Sequence, residues 1–241
     1  MKKYKIIAMI PARIGSQRLK FKNFALIKNK PLISYAINAA KNSKIFSNVI
    51  INSDSKLFKK IADELKCDFF LRKKKLGSSN TKSDDVVNDF LSNYDCDILM
   101  WINPIAPMLD FNDIKKIKNY FIKKKLNSLI TTHKIKVHAL NGISSNTIKP
   151  INFKLNSKFK KTQDLQPIIL MNYCIMMWNA KSFLESMKKT KSAILHGKIG
   201  YYNLEPYKSF IIKDKRDLNL IDGLIGRDLN KRVKYYSKIR V

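Results

Sequence analysis

Carboxylates are scarce in this chain, 18 Asp and Glu against 48 Lys and Arg, which leaves a formal net charge of +30. Cysteine is scarcer still: Cys67, Cys96 and Cys174 are odd in number and share no metal-ligand spacing. Two of them border apolar runs, where a small buried thiol is the simplest role. No hydrophobic run is long enough to cross a bilayer, so no membrane partner is expected. The opening MKKYKIIAMIPARIGS superficially resembles a signal peptide. Its apolar stretch covers only Ile6 to Ile10 before Pro11 and Arg13 close it, too short for a secretory core. It reads instead as a first buried strand, and the cytoplasm is the expected compartment. There is no internal repeat, no Gly/Ser linker and no Ser/His/Asp arrangement. His133, His138 and His196 read as surface or packing residues.

The excess of positive charge suggests a polyanionic partner: nucleic acid, anionic lipid or nucleotide phosphates. Compositional drift explains most of it better. Lys far outnumbers Arg, Ile and Asn are abundant, and the lysines are spread along the chain rather than gathered in one arm. No RNP-like aromatic pattern, zinc-knuckle spacing or heptad-linked basic region is present, so nucleic acid is not the expected partner. With 241 residues, 45% of them hydrophobic, the chain can build one domain with a small appendage.

Apolar β-rich runs alternate with helical patterns, which predicts an α/β fold with a parallel sheet covered on both faces. Strands are expected at Tyr4 to Ile10, Asn48 to Asn52, Asp68 to Leu71, Asp97 to Ile102 and Ser128 to Thr132. Helices are expected from Pro31, after a cap at Asp54 or Ser55, after a cap at Ser83, and after Asp110 or Asn112. The pattern loosens from Lys134 to Gln166, a polar stretch expected to form a projecting arm or hairpin pair. Further strands are expected at Pro167 to Trp178, Tyr201 to Leu204 and Ser209 to Ile212, and a last helix at Lys215 to Leu229.

In open parallel sheets, ligands bind beyond the C-terminal strand ends. The loop after the first strand, ARIGSQRLKFKN, occupies such an end and carries Arg13, Arg18, Lys20, Lys22 and Asn23. A triphosphate needs several donors; Arg supplies a fork and Lys a compact charge. Gly15 would let backbone N–H groups approach phosphate oxygens. No Gly-Lys-Ser/Thr follows, so this is not a Walker A loop. From composition alone, phosphate binding and a solvated basic loop are both open.

IPARIGSQRLKFKN, Ile10 to Asn23, resembles the opening motif of the sugar-acid cytidylyltransferases, which include the CMP-acylneuraminate and CMP-Kdo synthetases. NKPLISYAINAAKNSKIF, VIINSDS, FLRKKKLGSSNTKSDDVV, ILMWINPIAPML, KKTQDLQPIILMNYCIMMW and KDKRDLNLID resemble further family segments in the right order. The resemblance covers most of the chain and is weakest at Lys134 to Lys158. It implies a three-layer, Rossmann-like nucleotidyltransferase fold, a single domain over 1–241, with the 134–166 arm serving dimerisation. It implies transfer of CMP from CTP to the anomeric hydroxyl of an acidic sugar, with release of pyrophosphate and Mg²⁺ on the phosphates. Arg13 and Lys22 would be the catalytic cations. Arg13, Gly15, Ser16, Arg18, Lys22, Asn23, Arg72 and Asn103 would hold CTP, and Gln163 and Asn172 the sugar. The Thr162-Gln163-Asp164-Leu165 run favours a nine-carbon acylneuraminate-type acid over Kdo.

The sequence departs from the family pattern at four places. Gln17 replaces the Lys after Gly-Ser. Ile105-Ala106 replaces Thr-Ser. Asn172-Tyr173-Cys174 stands for Asn-Gly-Ala. The metal-binding Asp-X-Asp pair falls on Ile211 and Lys213. Asp214 is the candidate replacement ligand, brought round by a one-residue bulge; Lys213 could instead supply part of the metal's charge. Three readings follow, in order: an active cytidylyltransferase, a relative that binds nucleotide or sugar without turnover, and a nucleic-acid binder.

Overall fold

The computed structural model describes residues 3–144, 147–155 and 157–227. The elements run β1 (Ile6–Ala12), β2 (Leu26–Ile27), β3 (Lys30–Pro31), α1 (Leu32–Ser43), β4 (Asn48–Ser53), α2 (Leu57–Glu64), β5 (Asp68–Leu71), α3 (Ser83–Leu91), β6 (Ile98–Ile102) and α4 (Phe111–Lys123). They continue with β7 (Ser128–Ile135), β8 (Leu140–Ser144), β9 (Thr147–Pro150), β10 (Ile168–Asn179), α5 (Ala180–Thr190), β11 (Ile199–Asn203) and α6 (Lys215–Leu224).

Seven strands form the central sheet in the order β11-β7-β10-β6-β1-β4-β5. β1 pairs in parallel with β4 and β6, β4 with β5, and β7 with β11. β10 runs antiparallel to both β6 and β7. Successive side chains of a strand point to opposite faces, and β1 shows the result. Ile6, Ala8, Ile10 and Ala12 pack with Ile37 of α1, Phe58 of α2 and Ile117 of α4. Ile7 and Met9 pack with Phe90 of α3 and with Phe183 of α5. Apolar residues on both faces make the continuous hydrophobic run of a doubly covered strand, and the three-layer expectation holds.

Local expectations differ in instructive ways. Asp110 caps α4 as foreseen, in a reciprocal capping box with Asp113. Ser83 does not cap α3: it is the first helical residue, and Lys82 occupies the cap. Ser55 accepts the Leu57 N–H at the start of α2, while Asp54 turns away toward the basic loop. The 134–166 stretch contains one two-stranded hairpin, β8–β9, off the main sheet. No strand forms at Ser209 to Ile212. Pro206–Ser209 is a 3₁₀ turn, and the chain then runs outside any sheet into α6, with the Ile212 N–H donating to the Ile105 carbonyl at 2.9 Å. The last helix, expected to run to Leu229, ends at Leu224, where Ile225 turns to extended backbone; 228–229 lie outside the described residues. α6 docks through Ile221 beside Ile27, Leu32 and Ile212 in a small core of its own.

Candidate nucleotide site

The C-terminal ends of β1, β5 and β6 open onto one cavity of about 260 Å³. Six of the residues singled out from sequence line it: Arg13, Ser16, Lys22, Asn23, Arg72 and Asn103. They come from three separate stretches of chain, and parallel pairing brings those stretches to one edge of the sheet.

Lys22, Arg72 and Asn103 are each held by an identifiable side-chain contact. The backbone N–H of Ile14 donates to Asp54 Oδ1 at 3.1 Å, which ties the basic loop to the end of β4. Phe21, at φ 52°, turns the chain into the 3₁₀ segment Lys22–Phe24. There Asn23 is buried, with Oδ1 unpartnered among the described residues. Lys22 reaches across the site, and its Nζ donates to the Ile212 carbonyl at 3.1 Å. Burial, then the neighbouring charges of Arg18 and Arg13, push the Lys22 pKa below its usual value; Asp217 opposes them.

Arg72 follows β5 and is almost fully buried. Its NH1 donates to the Asn52 carbonyl at 3.1 Å, and NH2 lies 3.9 Å from Asp54. Burial lowers its pKa, and Asp54 partly offsets that. Its Nε–H has no partner among the described residues. Asn103 ends β6. Its Nδ2 donates to the Tyr173 carbonyl at 3.3 Å, and its Oδ1 accepts from Ile105 N–H at 3.4 Å.

The other wall comprises Leu76, Ser78, Thr81, Ser83, Val86 and Trp101, none of which was singled out as a site residue. The Ser/Thr cluster ahead of α3 was a visible signal, read only as a helix start. Trp101, inside a uniformly apolar strand, gave none.

The remaining candidates stand elsewhere. Gly15 and Arg18 are exposed and outside the cavity lining; a Cβ on Gly15 would meet no atom within 4 Å. Gln163 is exposed on a 3₁₀ turn of the arm, where its carbonyl accepts from Lys136 at 2.6 Å. Asn172, expected to bind sugar, is 4% exposed, and its amide is committed inward. It accepts from Thr131 Oγ1 at 2.6 Å and donates to Ser209 Oγ at 3.1 Å.

Asp214, expected as a metal ligand, is the N-cap of α6. Oδ1 accepts the backbone N–H groups of Arg216 and Asp217, in a capping box. Those hydrogen bonds, led by that from Asp217, hold its pKa below the usual value. Among the described residues no three His, Cys, Asp or Glu side chains gather as a metal site, and no carboxylate lines the cavity. A hard dication wants oxygen ligands, so this donor set does not fit a protein-held Mg²⁺.

A three-layer α/β sheet carrying two guanidinium groups, an ammonium and side-chain amides at its C-terminal strand ends belongs to the nucleotidyltransferase class of folds. The sequence profile of the cytidylyltransferases matches residues 7–150, and the chain belongs to that family. It is 29% identical over 184 residues to the N-acylneuraminate cytidylyltransferase of Streptococcus agalactiae serotype V, covering 75% of this chain and 45% of that protein. It is 35% identical over 129 residues to the enzyme of the same name from Escherichia coli O18:K1:H7, covering 53% and 31%. The chain thus spans less than half the length of these two relatives. The solved structure of a CMP-2-keto-3-deoxy-manno-octonic acid synthetase, complexed with CTP, superposes with a TM-score of 0.69 at 14% identity. That match covers 91% of this chain and 98% of the other, and it shows a shared fold.

Proposed function

We propose that the protein transfers CMP from CTP to the anomeric hydroxyl of an acidic sugar of the acylneuraminate type. The observation that carries this reading is the convergence of Arg13, Ser16, Lys22, Asn23, Arg72 and Asn103 on one cavity lined by no carboxylate. Three fixed cations suit a triphosphate, whose charge grows on the departing pyrophosphate as the bond breaks. In the proposed reaction the acceptor oxygen bonds to the α-phosphorus, the bond to the β-phosphate bridge breaks, and the hydroxyl proton passes to water. Lys22 and Arg13 neutralise the leaving pyrophosphate, Arg72 and Asn103 hold the nucleoside, and no covalent enzyme intermediate is needed. Any Mg²⁺ would come with the triphosphate, on phosphate oxygens and water. The relatives' names point the same way: both are N-acylneuraminate cytidylyltransferases.

The test is pyrophosphate release from CTP and Mg²⁺ with a panel of eight- and nine-carbon sugar acids. Turnover with a nine-carbon acid is expected. Silence across the panel, with CTP bound normally, would favour the second reading, a relative that binds without turnover. That alternative is motivated by Ile211 and Lys213 standing where carboxylates are expected. Replacing both by Asp should then create activity.

We also propose a homodimer formed through the arm. Val137, Leu140, Ile148, Ile151, Leu155 and Phe159 are exposed there, an apolar surface beside a groove of about 840 Å³. Sedimentation equilibrium should give twice the chain mass, and Phe159→Glu should halve it.

A further inference from the structure

β10 breaks its own register. Met171 lies opposite Thr132 and Met176 opposite Ile130, so residues 172–175 bulge across Thr131 alone. Inside that bulge Tyr173 has φ +56°. Other non-glycine residues with positive φ close helices (Lys44, Lys191), form the β2–β3 turn (Lys28, Asn29) or stand outside regular elements. Among the described residues Tyr173 is alone in adopting it within a strand.

The left-handed region is disfavoured for a side chain this bulky, and a conformation so held persists only when its surroundings impose it. They do here. Thr131 Oγ1 donates to Asn172 Oδ1 and accepts the Ile175 N–H at 3.0 Å, while Asn172 Oδ1 also accepts the Cys174 N–H at 3.1 Å. A glycine would take this backbone with no steric cost; here a bulky aromatic residue takes it instead.

The ring does not serve the core. Tyr173 is 43% exposed, and among the described residues it stacks on no aromatic side chain. Its carbonyl accepts from Asn103 Nδ2, and the Cys174 carbonyl accepts the Asn103 N–H at 2.9 Å. Asn103 is a wall of the nucleotide cavity. The cavity takes the loops after β1, β5 and β6, and β10 is the strand on β6's other flank. An acceptor approaching CTP therefore has the β10 side left to it.

We propose that Tyr173 selects the acceptor: its ring face and phenolic O–H contact the acidic sugar beside the nucleotide, from the strained bulge that also holds Asn103. This rests on the function proposed above. The experiment compares wild type with Tyr173→Phe, Tyr173→Ala and Tyr173→Gly. CTP affinity is measured without acceptor, and acceptor KM and kcat are measured over the eight- and nine-carbon panel. Nucleotide affinity should stay within about twofold. Acceptor KM should rise about tenfold or more in the Ala and Gly variants, with a changed order of preference, and Tyr173→Phe separates the O–H from the ring. Unchanged acceptor KM and preference in folded Ala and Gly variants would overturn the inference, as would a wild type that binds CTP and no acceptor. Failure of the wild type to bind CTP is a different result: it removes the function proposed above and this inference with it.

Discussion

Replacing Lys22 by Met tests the site where its electrostatics are most concentrated. Met keeps much of the aliphatic stem, so packing changes little and the ammonium is what is lost. In the free protein that ammonium donates to the Ile212 carbonyl and lies among the like charges of Arg13 and Arg18. A bound triphosphate would exchange that repulsion for attraction. One hydrogen bond to a charged group contributes about 1.5–3 kcal/mol, so CTP should bind roughly 10- to 150-fold more weakly to the variant. Trp101 lines the cavity, which makes intrinsic fluorescence a convenient readout of the titration. The pH dependence supplies a second check. The Lys22 pKa is depressed below 10.5 in the folded protein, so wild-type CTP affinity should decline on the alkaline side before pH 10.5. The variant should lack that contribution. For stability the sign is reversed. Between the depressed pKa and 10.5 the unfolded chain binds more protons, so Lys22's unfavourable contribution is fully present below that interval and relieved across it. A variant that binds CTP within twofold of wild type would refute the assignment of Lys22 to the triphosphate.

Other perturbations test the supports of the site. Lys208 Nζ bonds both Asp110 and Asp113, tying the turn before α6 to the start of α4. Lys208→Met should cost about 3 kcal/mol in denaturant unfolding, because Asp113 is left buried without its partner. Burial works to lower the Lys208 pKa, but hydrogen bonds to Asp113 and Asp110 outweigh it and raise the value. Burial likewise works to raise Asp110, and the bond from Lys208 leads those that lower it. The Lys208 contribution should be present below pH 10.5 and fade above it, and that of Asp110 should be present above pH 3.8 and fade below it. Gly77→Ala would drive a Cβ into the Asp54 carboxylate, the anchor of Ile14 and Arg72. It should lower stability by about 1–3 kcal/mol and weaken CTP binding in the same titration. Asp214→Ala should lower the melting temperature by removing a helix cap while leaving the Mg²⁺ dependence of turnover unchanged; loss of that dependence would restore Asp214 as a ligand.

The alternation of apolar strands with amphipathic helices made the sheet and its layers legible, because burial on both faces leaves an unmistakable pattern. The basic loop at the cavity was legible because cations and an amide crowd a short stretch at a strand end. Pairing order was not: β10 reads as one more apolar strand, and nothing local to Ile168–Asn179 marks its reversed direction. The inward bonds of Asn172 were not legible, because an amide looks the same in sequence whether it faces a ligand or Thr131 and Ser209. The expected strand at Ser209 to Ile212 did not form because Ser209 is drawn into the 3₁₀ turn, and the Ile212 N–H bond to the Ile105 carbonyl is not extended into a ladder. Asp214 has a local competing role, since Asp three residues before Asp217 is also the pattern of a capping box.

The direction of β10 reaches further than the sheet. Since it runs against its neighbours, its beginning, rather than its end, lies at the edge where the cavity opens. Entering from that edge, β10 pairs first with β7 alone, over Ile168–Met171, passes Tyr173, and from Ile175 onward lies between β6 and β7. Had the strand run the other way, the preceding chain would enter at the opposite rim of the sheet. Strand polarity thus brings the chain that precedes β10 in at the rim where the cavity opens.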